Sequence, residues 1–262
     1  MTELVRIDHH GDGGHVAELV LDRPEAMNAV STAMAQAIAA ATAELSQDPT
    51  VRAVVLSSTH PRAFCVGADL KERNSFTDDE LRAQRPLAQA AYRGVLDLPV
   101  PAIAAVDGYA LGGGFELALS CDVVVCGEDA VVGLPEVSVG VIPGGGGTQL
   151  LPRRVGWSRA AQMIFTAQRY AAHDACRLGA VDEVVAAGTA RERALELATM
   201  VASHSPVGVR SAKAAMRRGL DTDLDAGLRI EDEMWAATAF SGDRAEGVAA
   251  FNEKRRPVWP GR

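Results

Sequence analysis

Three short, nearly uninterrupted apolar runs limit the fold more than anything else in this sequence: Ala53–Leu56 (AVVL), Ala102–Val106 (AIAAV) and Asp122–Cys126 (DVVVC). Runs of four or five apolar residues without polar alternation read as strands buried on both faces, the pattern of a sheet covered by helices on each side. Helical stretches lie between them. One opens at Ser31, a good N-cap residue, and places Met34, Ile38, Ala41 and Leu45 on one face. A second is predicted from Asp79 to about Leu96, ending before Pro99 and Pro101. After about Ala180 only Val181–Val185 carries a strand signal. The rest is helical, with Thr189-Ala-Arg-Glu192 resembling a capping box and Leu224, Leu228 and Trp235 at helical spacing. This order predicts an α/β core over residues 1–195 and a helical C-terminal region over 196–262.

Composition excludes several classes. Hydrophobic residues make up 48% and charged residues 23% of the 262, so the chain is expected to fold as a globular protein. The N-terminus has no basic patch ahead of an apolar core and no later run is long enough to span a bilayer, so a cytoplasmic address without membrane partners is expected. A formal net charge of −8 opposes a broad nucleic-acid surface, though not a local cationic pocket. The four cysteines, Cys65, Cys121, Cys126 and Cys176, lack zinc-site spacing and read as buried free thiols; no metal site is expected.

Three turn-rich segments adjoin predicted strands: Phe64–Leu70 (FCVGADL), Gly108–Glu116 (GYALGGGFE) and Ile142–Thr148 (IPGGGGT). In the second, glycines lead into a helix-like run from Phe115 to Ser120, so free N–H groups and the positive end of the helix dipole would meet a developing negative charge. Neither a P-loop lysine nor dinucleotide-type glycine spacing is present. Taken singly, each glycine segment is as well explained by close helix packing. Two acids sit in apolar surroundings: Glu116 within FELAL, and Glu136 within GLPEV, seven positions before Pro143. Desolvation there would suit both carboxylates to proton transfer, although an isolated glutamate is ordinarily exposed or salt-bridged.

Five segments in series resemble the crotonase superfamily, also called the enoyl-CoA hydratase/isomerase family: LDRPEAMNAVS (21–31), AFCVGADLKE (63–72), PAIAAVDGYALGGGFELALSCD (101–122), GLPEVSVGVIPGGGGTQLLPR (133–153) and EGVAAFNEKRRPVW (246–259). The resemblance implies a crotonase-like spiral of ββα units closed by a helical C-terminal region. It also implies an acyl-CoA thioester as substrate, and a homotrimer or homohexamer built as a dimer of trimers. No cofactor is implied beyond the coenzyme A moiety of the substrate. The N–H groups of Ala68 and Gly113 would form the oxyanion hole. Glu116 and Glu136 would hold water and manage the proton at C2, with Gly144 N–H helping to hold that water. Ala26, Ala68, Asp69 and Leu70 match segments beside coenzyme A. Phe251 and Lys254, the latter followed by Arg255 and Arg256, match tail residues that reach the coenzyme A of a neighbouring subunit.

Because both glutamates are present, the resemblance favours an enoyl-CoA hydratase over isomerases, dehalogenases and hydrolases of the superfamily, and over a non-catalytic thioester-binding protein. GADLKER (67–73), IPGGGGTQ (142–149) and AFNEKRRP (250–257) lean toward the AU-binding methylglutaconyl-CoA hydratases. RNA binding there is attributed to lysines on an early helix. The matching helix here, STAMAQAIAAATAELSQ, has no Lys or Arg, so no nucleic-acid partner is expected. Thr59-His60-Pro61 departs from the usual Gly-rich turn. Val66 and Phe115 also depart and are expected to trim the acyl pocket. Arg73 could meet a distal acyl carboxylate, but a surface salt bridge is the commoner use of such an arginine.

Overall fold

A computed structural model describes residues 4–11 and 13–262. The chain opens with an antiparallel pair, β1 (Val5–His10) and β2 (Val16–Leu21), followed by α1 (Thr32–Gln47). Ser31 caps α1 by accepting from Met34 N–H, and Met34, Ile38, Ala41 and Leu45 are buried as the spacing predicts. Next come β3 (Ala53–Ser58), β4 (Ala63–Cys65), the single turn α2 (Leu70–Arg73) and α3 (Asp78–Leu96). A capping box between Thr77 and Glu80 starts α3. Then follow β5 (Ala102–Val106), β6 (Tyr109–Leu111) and α4 (Gly113–Ser120). The next group is β7 (Val123–Gly127), β8 (Val131–Gly133), a 3-10 turn (Glu136–Val139), α5 (Gly147–Val155) and α6 (Trp157–Phe165). The remaining elements are β9 (Arg169–Ala171), α7 (Ala172–Leu178), β10 (Glu183–Val185), α8 (Ala190–Ala202), α9 (Pro206–Gly219), α10 (Leu224–Ala239) and α11 (Gly242–Glu253).

Six strands form one sheet in the order β1-β2-β3-β5-β7-β10, and four form a second in the order β4-β6-β8-β9. β3–β4, β5–β6 and β7–β8 each leave the first sheet for the second before a helix returns the chain. This is the expected spiral of ββα units. One face of the large sheet packs on α1, α3 and α4 in the main core, and α8 covers the other face with Ala190, Ala194, Ala198 and Ala202. The stripe of alanines lets α8 lie close to Ala53, Val55, Ile103 and Ala105.

Three expectations need correction. Thr189 does not cap α8: its hydroxyl donates to Ala186 O and its side chain receives no cap bond. The expected division at 195/196 falls inside α8, whose buried face belongs to the sheet, and the C-terminal helical region begins with α9. Of the four free cysteines, three are buried as expected and Cys176 is partly exposed.

Candidate active site

The second sheet brings the three turn-rich segments to one place. At Gly67, φ is +89° and a Cβ would fall 2.8 Å from Leu111 O and 3.0 Å from Gly113 N, so only glycine lets the loop after β4 lie against the start of α4. Ala68 and Gly113 therefore line the same cleft. Neither N–H donates to another group among the described residues: Gly113 is the first residue of α4, where helical N–H groups have no intrahelical partner, and Ala68 lies between two paired neighbours, Gly67 O and Asp69 N, which both bond to Val30. Two free backbone donors in one cleft are what a developing oxyanion requires.

Glu116 stands one turn into α4 and is 2% exposed. Its Oε1 accepts from Gly145 N and Gly147 N, both at 2.7 Å, so the glycine run ahead of α5 wraps the carboxylate with backbone donors. Burial pushes its pKa up, while those N–H groups, Arg85 and Gly144 N–H oppose the shift. Glu136 opens the 3-10 turn after β8 and is differently placed. Both of its carboxylate oxygens are buried without a hydrogen-bond partner, and its pKa is pushed up to about 7, chiefly by burial and further by the charge of Glu116. Gly112, at φ +55°, allows this approach, since a Cβ there would lie 3.2 Å from Glu136 Oε1. One carboxylate is thus stabilised when charged, and its neighbour is left able to carry a proton near neutrality.

The cleft, about 1120 Å³, is also lined by Leu70 and Gly144, and Gly144 O accepts from Arg85 Nη2. Four of the residues expected to contact coenzyme A do not line this chain's cleft. Ala26 ends a 3-10 turn beside Met27, which does line the cleft. Asp69 instead caps α2 through Lys71 N and Glu72 N and pairs with Arg23; burial would raise its pKa, but the Arg23 guanidinium and these N–H groups hold it below the usual carboxylate range. Phe251 is 83% exposed on α11, and Lys254 ends that helix in the left-handed conformation. Neither lines this chain's cleft. Beside them, Arg255 is ion-paired with Glu246 and Glu253, so its charge is not free for a ligand. Phe115 does not trim the acyl pocket. It is fully buried in the main core, because α4 turns it away from the cleft wall that Val66 does join.

Sequence reasoning missed Tyr92 and Gln84, both on α3 and both lining the cleft. Tyr92 is buried, with its ring against Gly145 and its hydroxyl against Gly113, and burial followed by the Glu116 charge pushes its pKa up. Its place four and eight residues from Ala88 and Gln84 on one helical face was the available signal.

Comparison with known proteins agrees with this geometry. The family model for enoyl-CoA hydratase/isomerase matches residues 11–262. YngF of Bacillus subtilis (strain 168) is 43% identical over 247 residues, covering 94% of this chain and 95% of that protein. The mitochondrial methylglutaconyl-CoA hydratase of Mus musculus is 39% identical over 250 residues, covering 94% of this chain and 80% of the relative. The crystal structure of an enoyl-CoA hydratase from Bacillus anthracis superposes with a TM-score of 0.95 at 37% identity, covering 99% of this chain and 100% of that one. The chain belongs to the enoyl-CoA hydratase/isomerase family, the crotonase superfamily, whose members act on coenzyme A thioesters.

Proposed function

We propose that the protein is an enoyl-CoA hydratase that adds water across the 2,3-double bond of an enoyl-CoA thioester. The observation that carries this reading is the pair of carboxylates in one cleft with unlike surroundings, Glu116 held by backbone N–H groups and Glu136 unpartnered with a pKa near 7. The thioester oxygen sits on the N–H groups of Ala68 and Gly113, which makes C3 electrophilic by stabilising the enolate. Water, held with the help of Gly144 N–H, loses a proton to the Glu116 carboxylate as its oxygen bonds to C3. The protonated Glu136 then gives its proton to C2, and the enolate collapses to the saturated 3-hydroxyacyl thioester. Proton exchange between the two carboxyls through the next water restores the starting state.

The assembly we propose is the homotrimer or dimer of trimers, in which Phe251 and Lys254 serve a neighbouring subunit's coenzyme A. It is supported by the apolar side chains that α9, α10 and the segment between them leave exposed, among them Met216, Leu220, Leu224 and Trp235. No helix among the described residues is long and apolar enough to cross a membrane.

Hydration of crotonyl-CoA, followed as loss of the conjugated-thioester absorbance, tests the mechanism. Wild type should turn over, and Glu116→Gln and Glu136→Gln should each be slower by about 10²–10⁴-fold. Wild-type rates in both variants would overturn the assignment.

A further inference from the structure

The backbone that holds Glu116 is itself held from α3. Arg85 is exposed and makes no ion pair among the described residues, yet its guanidinium reaches back to the glycine run: Nη2 donates to Gly144 O at 2.7 Å. It lies so close over Gly144 that a Cβ there would fall 2.9 Å from Nη1, so the missing side chain is what lets it in. The peptide it grips links Gly144 to Gly145, and Gly145 N donates to Glu116 Oε1, also at 2.7 Å. No peptide among the described residues is cis, so the C=O and N–H of this link point in opposite directions. One end meets Arg85 and the other meets Glu116.

A glycine–glycine link is the least restrained kind of peptide, free to turn its N–H away from an acceptor. Arg85 removes that freedom, because a turned peptide would give up a charge-assisted hydrogen bond. The guanidinium also polarises the peptide it grips, which strengthens the N–H bond on the far side. Few other charges act on this carboxylate. From the elements packed around α4, Arg85 and Tyr92 of α3 and Glu136 of the 3-10 turn face it. Arg73 of α2 and Cys65 of β4 are close enough to act on Tyr92, while Arg153 and Arg154 of α5 are turned to Asp221 and Asp182. Burial pushes the Tyr92 phenol up and the Cys65 thiol up to about 12, so both are neutral near pH 7. Arg85 is the cation that favours the charged form of Glu116.

We propose that Arg85 is a positioning residue for the general base: its guanidinium holds the Gly144–Gly145 peptide in the orientation that turns Gly145 N–H onto Glu116, and so keeps that carboxylate aimed and ionised. The proposal rests on the hydratase reading for the step it serves, but the hold on Glu116 can be tested without turnover. Because Gly147 N–H also binds Glu116 Oε1 and Arg85 is open to solvent, losing the guanidinium should weaken the base without abolishing it.

The experiment follows hydration of crotonyl-CoA across pH in wild type, Arg85→Met and Arg85→Lys. The base must be ionised and the acid protonated, so Glu116 sets the acid limb of kcat/KM and Glu136 the alkaline limb. Without the guanidinium the charged form of Glu116 is less favoured, so in Arg85→Met the acid limb should move to higher pH by roughly half a unit or more, and the alkaline limb by clearly less. On the plateau kcat should fall on the order of three- to tenfold with KM little changed. Arg85→Lys keeps a cationic donor for Gly144 O and should recover part of both effects. A purely structural role would lower the rate at every pH and leave both limbs in place. That outcome would overturn the proposal, as would equal movement of the two limbs or an Arg85→Lys profile no better than that of Arg85→Met. If wild type does not hydrate crotonyl-CoA, the hydratase reading fails separately. Carboxyl ¹³C NMR titration of Glu116, assigned by its loss in Glu116→Gln, then decides the role of Arg85: a midpoint that rises in Arg85→Met upholds it, and an unmoved midpoint overturns it.

Discussion

The two sides of the cleft are built on opposite plans. On the α4 side, Glu116 sits in a fully buried helix and its carboxylate is gripped by the backbone that leads into α5. On the other side, Glu136 begins a short 3-10 turn whose chain runs on through the exposed Val139, Val141 and Ile142, and its carboxylate is opposed in its upward shift only by its own backbone N–H, with no hydrogen bond from another residue. Burial raises the pKa of both acids, so burial alone cannot divide their labour. Hydrogen bonding to the charged form can. The helical side fixes a base in place, and the turn side leaves an acid free to hold and release a proton.

The largest effect should come from removing either acid's chemistry while keeping its shape. Glu116→Gln and Glu136→Gln should each lose about 10²–10⁴-fold in kcat for crotonyl-CoA. Because the two act in one step, the double variant should be little slower than the worse single one. A double variant whose losses multiply in full would show that the two sides act independently.

Stability should separate the sides next. Truncation by Glu116→Ala leaves the N–H groups of Gly145 and Gly147 without their acceptor, which should cost about 2–4 kcal/mol in denaturant unfolding. Glu136→Ala strands no partner and should cost much less. Equal losses would mean that Glu116 is not held as the geometry indicates.

How far this asymmetry could be read from the sequence follows from what each residue depends on. Glu116 and Glu136 stand out locally, by apolar flanks and adjacent glycines, and the strands Ala53–Leu56 and Ala102–Val106 announce themselves by unbroken burial. What holds each acid was not legible, because Gly145 and Gly147 lie 29 and 31 residues beyond Glu116 and reach it only through the tertiary fold. β2 escaped notice for a related reason. Its VAELVL run is interrupted by Glu18, which is fully buried and neutralised by Arg191, 173 residues away. Gln84 and Arg73 read as surface residues within a charged stretch, and only the folding of α2 and α3 over the cleft turns them inward.

A pH profile gives a smaller but more specific signal. If Glu136 must carry a proton, kcat/KM for hydration should fall about tenfold per unit above its pKa of about 7. The limb should move to lower pH in Glu116→Gln, since the charge of Glu116 is one of the causes of the shift. A profile that stays flat to pH 9 would remove Glu136 from the acid role.

The smallest effect concerns stability again, and its sign is the informative part. The Glu136 carboxyl has a folded pKa of about 7 against an ordinary value of 4.5, so between these values the folded protein binds the proton that the unfolded chain has lost. Its contribution is therefore fully present below about pH 4.5 and is lost as pH rises through 7. Above that pH the folded protein holds a buried, unpartnered carboxylate, whereas a glutamine carries no charge to desolvate. Glu136→Gln should therefore be more stable than wild type at pH 8 by roughly 1–2 kcal/mol after allowance for its partial exposure, with the difference shrinking toward pH 5. Paired urea titrations at the two pH values measure it. A variant less stable than wild type at pH 8 would mean that a partner stabilises the Glu136 carboxylate, and the contrast between the two sides of the cleft would then fail at its source.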